Sequence, residues 1–79
     1  MSISLAIKFK LAEVLEENNI TKNALAREAK IRPNLVYEMC NNETKRIELE
    51  TFNKVMTTLN ELAGEGKKIK IEDIMEFIE

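Results

Sequence analysis

Histidine and tryptophan are absent from the 79 residues, and cysteine occurs once, at Cys40. Without histidine there is no imidazole to move protons near neutral pH and no Cys–His nucleophile. A single cysteine excludes an internal disulfide and a zinc finger. Long apolar runs are missing too: the longest, such as Leu5 to Ile7, is three residues, against the roughly 20 that a membrane span requires. The opening MSISLAIKFK lacks the apolar core of about 7–15 residues that marks a secretion signal. Charge of one sign is also lacking, since 12 Lys and Arg face 14 Asp and Glu for a net of -2. That excludes a binder of nucleic acid driven by a strongly basic tail. Only four aromatic residues are present, three Phe and one Tyr, too few for a platform on which single-stranded bases stack. These absences lead to the expectation of a cytoplasmic, non-enzymatic chain forming one domain over residues 1–79, with no metal, cofactor, membrane or small-molecule ligand.

Proline and glycine are scarce as well, at Pro33, Gly64 and Gly66, which favours helices joined by short turns. The first helical pattern runs about Lys8 to Asn18, with Leu11, Val14 and Leu15 on one face and Glu13, Glu16 and Glu17 on the other. Asn18-Asn19 suits a helix end, because asparagine tolerates the left-handed conformation. Thr21 is a good N-cap, its hydroxyl placed to accept from the amide of Asn23 or Ala24. A short helix follows, Lys22 to Ala29, with Leu25, Ala26 and Ala29 on one side, where small side chains let another helix approach. Pro33 fits the first turn of a helix, so the third spans about Pro33 to Asn41 and turns Val36, Met39 and Cys40 inward. The fourth, about Leu49 to Leu62, has the strongest periodicity: Leu49, Phe52, Val55, Met56, Leu59 and Leu62. Gly64 closes it.

The two ends of the chain read differently. Lys67 to Ile71 alternates polar and apolar residues, a strand pattern, and Ile3, Leu5 and Ile7 also fall at period two. The segments pair as a small sheet, within one chain or across a dimer, or else the N-terminus simply frays into the first helix. Glu72 to Ile78 reads as a last turn or two of helix, with Glu72, Asp73, Glu76 and Glu79 on a solvated face.

A helix of about eight residues, a tight turn and a second of about nine is helix-turn-helix spacing, here over residues 21–42. LAREAKI at Leu25 to Ile31, RPNLVYEMCNN at Arg32 to Asn42 and TKRIELETFNKV at Thr44 to Val55 resemble the Cro and lambda-repressor-like, xenobiotic-response-element type of transcriptional regulator. The small stand-alone subfamily is most similar, sharing the RPN start of the third helix and the KRI-x-LETF lead into the fourth. The resemblance covers roughly Phe9 to Leu62. It implies an all-α fold, a lambda-repressor-like bundle of five helices whose second and third bind DNA. Two departures stand out. Lys30 replaces the usual glycine of the turn, where a left-handed lysine costs about 1 kcal/mol, and Asn41-Asn42 replaces the frequent Asn-Gly.

In that setting Arg32, Asn34 and Tyr37 are the candidate base-reading residues at the start of helix 33–41, which is expected to enter a major groove. Arg32 suits a guanine edge or a phosphate, Asn34 a base edge, and Tyr37 a phosphate or a thymine methyl. Thr21 and Lys22, at a helix start whose free amides favour anions, and Lys45 and Arg46, just past the third helix, are the phosphate candidates. Where the family often has glutamine, Lys22 keeps phosphate binding but loses the amide's dual hydrogen-bonding role. From Ile20 to Arg46 six basic residues face three acidic ones, a net of +3; from Ile47 to Glu79 four face eight, a net of -4. With few phosphate contacts per subunit, specific binding calls for a homodimer. The expected function is a sequence-specific regulator of transcription, a repressor on double-stranded DNA. The alternative is a protein-interaction module of antitoxin or anti-repressor type that grips another protein through its acidic C-terminal half; Glu38, on the exposed side of the third helix, speaks for it.

Overall fold

The computed structural model describes residues 7–78. Along the chain run β1 (Ile7–Phe9), α1 (Leu11–Glu17), α2 (Lys22–Ala29), α3 (Pro33–Cys40), α4 (Leu49–Ala63), α5 (Ile71–Ile74) and β2 (Met75–Phe77). The five-helix bundle expected from the sequence is present, together with a two-stranded antiparallel sheet. Its core gathers Leu11, Val14 and Leu15 from α1, Leu25 and Ala26 from α2, Val36 and Met39 from α3, Phe52, Val55 and Leu59 from α4, and Ile74 from α5. Fully burying side chains of this size is worth about 1.5–3 kcal/mol each, and that is what holds such short helices together. The buried alanines of α2, Ala26 and Ala29, leave room for α2 to pack against both α3 and α4.

Three helices end in one way. After α1, Asn19 sits at φ 56°, and the amides of Asn19 and Ile20 donate to the carbonyls of Glu16 and Leu15. After α2, Lys30 sits at φ 60°, with Lys30 and Ile31 donating to Arg27 and Ala26. After α3, Asn42 sits at φ 59°, with Asn42 and Glu43 donating to Met39 and Glu38. This is the Schellman arrangement, built three times without glycine.

The chain ends correct several expectations. The two ends do pair, but through Ile7–Phe9 and Met75–Phe77, with Ile7 opposite Phe77 and Phe9 opposite Met75. Ile3 and Leu5 lie outside the described residues. Lys8 and Phe9 are therefore strand, and α1 begins only at Leu11. Lys67 to Ile71 is not a strand. Instead the Asn60 side chain takes the place of a neighbouring strand: its Oδ1 accepts from the Ile69 amide at 2.7 Å and its Nδ2 donates to the Ile69 carbonyl at 3.1 Å. The stretch read as helix from Glu72 to Ile78 is helical only to Ile74, because Met75 onward pairs with β1. Asp73 does not merely face solvent, since its carboxylate accepts from the Lys70 amide at 2.8 Å and caps α5. On α4, Phe52, Val55 and Leu59 are buried as expected, whereas Leu49 is 84% exposed and Leu62 is at the surface. Leu49 is the first residue of its helix and projects past the core.

Candidate nucleic-acid interface

The unit from Thr21 to Asn42 is assembled mostly from local signals. The Thr21 hydroxyl oxygen accepts from the Ala24 amide at 3.0 Å, closing the start of α2. The left-handed Lys30 stops α2, and Ile31 packs its half-buried side chain against the core. Arg32 is the extended residue before α3, at φ -69° and ψ 137°, as the proline that follows requires. Pro33 opens α3, and Val36 and Met39, both fully buried, anchor it. What remains outward is one face of α3 carrying Asn34, Tyr37, Glu38 and Asn41, all exposed.

Arg32 stands exposed at the N-cap and does not use its side chain as a cap. Asn34 is exposed one position into the helix from Pro33. Tyr37 is 41% exposed and tied to α2: its hydroxyl donates to Asn23 Oδ1 at 3.3 Å, and Lys22 Nζ lies 5.0 Å from the ring centroid. A cation at that distance from a ring is held by about 0.5–1 kcal/mol at an exposed site. Thr21, Lys22, Asn23 and Tyr37 thereby line one shallow depression against α1, next to Ala12, Leu15 and Glu16. On the other flank of α3, Arg46 lines a cavity of about 260 Å³ with Leu35, Met39 and Thr51. Lys45 and Arg46 also border a smaller one, about 170 Å³, beneath Ile7, Phe9 and Met75 of the ribbon.

The seven sequence candidates thus fall into three places. Thr21, Lys22 and Tyr37 are brought together on the α2 side, Lys45 and Arg46 lie on the α4 side, and Arg32 and Asn34 are exposed at the start of α3. Two neighbours escaped the sequence reading. Asn23 lies fourteen residues from Tyr37, a separation that no local pattern connects. Asn41 was legible, since it lies seven residues after Asn34 and so on the same helical face, but its value as a helix terminator masked it.

Elsewhere on the unit the chemistry is quiet. Arg27 and Glu28 form an exposed ion pair at 3.4 Å, worth at most about 1 kcal/mol. Burial pushes the half-buried Cys40 thiol above its ordinary pKa, against a smaller opposing pull from Lys22. The thiol is therefore protonated at neutral pH and a weak nucleophile. Among the described residues no group of three or more His, Cys, Asp or Glu is arranged to hold a metal, and no helix is long and apolar enough to cross a membrane.

Compared with known proteins, residues 10–79 match the family model described as "Cro/C1-type HTH DNA-binding domain". No curated protein and no solved structure matches the chain.

Proposed function

The chain belongs to the Cro/C1-type helix-turn-helix DNA-binding family, and from that premise we propose that it is a sequence-specific, homodimeric repressor that lays α3 in the major groove of double-stranded DNA. The observation that carries this reading is the pairing of two faces on α3: Val36 and Met39 fully buried, Asn34, Tyr37 and the preceding Arg32 exposed. A helix gripped from behind in this way can enter a groove about 12 Å wide with its leading side chains free. Arg32 then meets a guanine edge or a phosphate and Asn34 a base edge. Tyr37, held by Asn23 beside the Lys22 ammonium, meets a phosphate or a thymine methyl. Thr21 and Lys22 at the start of α2 and Lys45 and Arg46 beyond α3 take phosphates on either side. Residues 1–79 act as one DNA-binding domain in the cytoplasm, and repression follows from occupying the site.

Support for the homodimer comes from the ribbon. Phe9 is buried and Met75 half-buried, whereas the next cross-strand pair on the same face, Ile7 and Phe77, is 53% and 68% exposed. An apolar face that runs past its own core suits a second copy, and two-fold pairing of protomers matches a palindromic site.

Selection of bound duplexes from a random pool at fixed salt tests the reading. A palindromic enriched site is expected, and the absence of enrichment refutes sequence-specific binding. On the enriched site, Arg32→Ala is expected to cost about 1–3 kcal/mol, whereas Lys45→Ala weakens matched and unmatched duplexes alike and lowers the salt slope by about one. The protein-interaction alternative draws on Glu38, exposed on the same face of α3, and gains ground only if no duplex is enriched.

A further inference from the structure

The outward face of α3 carries a carboxylate. Asn34, Glu38 and Asn41 follow one another at spacings of four and three, and all are exposed. Glu38 is the single charged residue of α3 (PNLVYEMC). Among the described residues its carboxylate takes part in no ion pair and accepts no hydrogen bond. Lys22, at the start of α2, is engaged over the Tyr37 ring.

A free carboxylate is costly on a surface that meets phosphates, because it repels every duplex regardless of sequence. It becomes favourable only opposite a hydrogen-bond donor. In the major groove two bases present one, cytosine through its N4 amine and adenine through its N6 amine, while guanine and thymine present acceptors. Adenine sets the N7 acceptor beside its amine, which repels the second carboxylate oxygen; cytosine has no such neighbour on its own edge. We propose that Glu38 is a specificity-determining residue that selects cytosine at one position of each half-site and penalises guanine and thymine there. The inference rests on the reading of α3 as the groove helix. Glu38 lies four positions along the helix from Asn34, a rise of about 6 Å, so the selected cytosine is a different base from the one that Asn34 meets.

The test repeats duplex selection, at one salt concentration, with the full chain and with Glu38→Gln and Glu38→Ala. Because the side chain is exposed and unpartnered, both variants are expected to melt with the parent in circular dichroism. The parent is expected to enrich a half-site with cytosine at one position. Glu38→Gln moves the preference at that position alone toward adenine, which glutamine pairs through N6 and N7, by about tenfold. Glu38→Ala makes the same position indifferent, and both variants bind random duplex more tightly than the parent. Preferences unchanged at every position, or affinity changed equally for all duplexes, overturn the role of Glu38 while leaving the DNA reading intact. If the parent itself enriches no sequence, the DNA reading fails and takes this inference with it.

Discussion

The helix-turn-helix unit and the chain ends are built on opposite principles. From Thr21 to Asn42 each boundary is set by residues within a few positions of it: Thr21 caps α2, Lys30 stops it, Pro33 starts α3 and Asn42 closes it. At the ends several backbone groups are instead satisfied from farther along the chain. The Lys10 amide donates to the Ile74 carbonyl, the Phe9 amide to the Asn42 side chain, and Ile69 is clasped by Asn60. The same division runs through the charge, +3 across Ile20 to Arg46 and -4 beyond. The part that faces the proposed ligand thus takes its shape from local signals, while the part that braces it depends on remote ones.

Asn42 joins the two. Its backbone ends α3 and its side chain accepts from Phe9, so the helix that carries the outward face is tied to the ribbon. Asn60 does the corresponding work for the tail by also donating to Met56 of its own helix at 2.9 Å, which orients the amide that holds Ile69.

The contrast breaks most completely under Leu59→Ala. Leu59 is fully buried in the core that both regions share, and the substitution is expected to cost about 2–5 kcal/mol. Both regions should then melt together at a lower temperature in a thermal scan. Asn60→Ala should instead separate them. It removes both partners of Ile69 and is expected to cost about 1–3 kcal/mol. Amide exchange should accelerate across residues 67–77 while α2 and α3 keep their protection; equal acceleration everywhere would mean that the tail is not an independent layer. The smallest effect is expected at Lys30→Gly, which relieves a side chain in the left-handed region. A gain of up to about 1 kcal/mol, seen as a higher melting temperature with unchanged exchange in the tail, would locate the strain in the turn.

Much of this was readable before any fold was known. The boundaries of α2 match the sequence reading, α3 differs by one residue and α4 by one, because caps, breakers and a 3.6-residue apolar repeat act over distances shorter than a helix. The left-handed conformation of Lys30 was anticipated only through the resemblance, which places a glycine at that position of the turn. The same signals misplaced the ends. Alternation at Lys67 to Ile71 was real, but a strand needs a partner, and Asn60 had already taken Ile69. Met75 to Phe77 carried a helical pattern and became strand, because Phe9 offered its backbone from the far end of the chain.

The candidate interface divides along the same line. Exposure of Arg32, Asn34 and Tyr37 followed from helical spacing once Val36 and Met39 were assigned inward. The clasp of Tyr37 by Asn23 and Lys22, the placement of Arg46 beside Leu35, and the exposure of Leu49 depend on how helices cross. Local chain chemistry decides where a helix begins and which side of it is apolar. Which distant groups meet depends on the packing of the shared core, and no run of neighbouring residues encodes that.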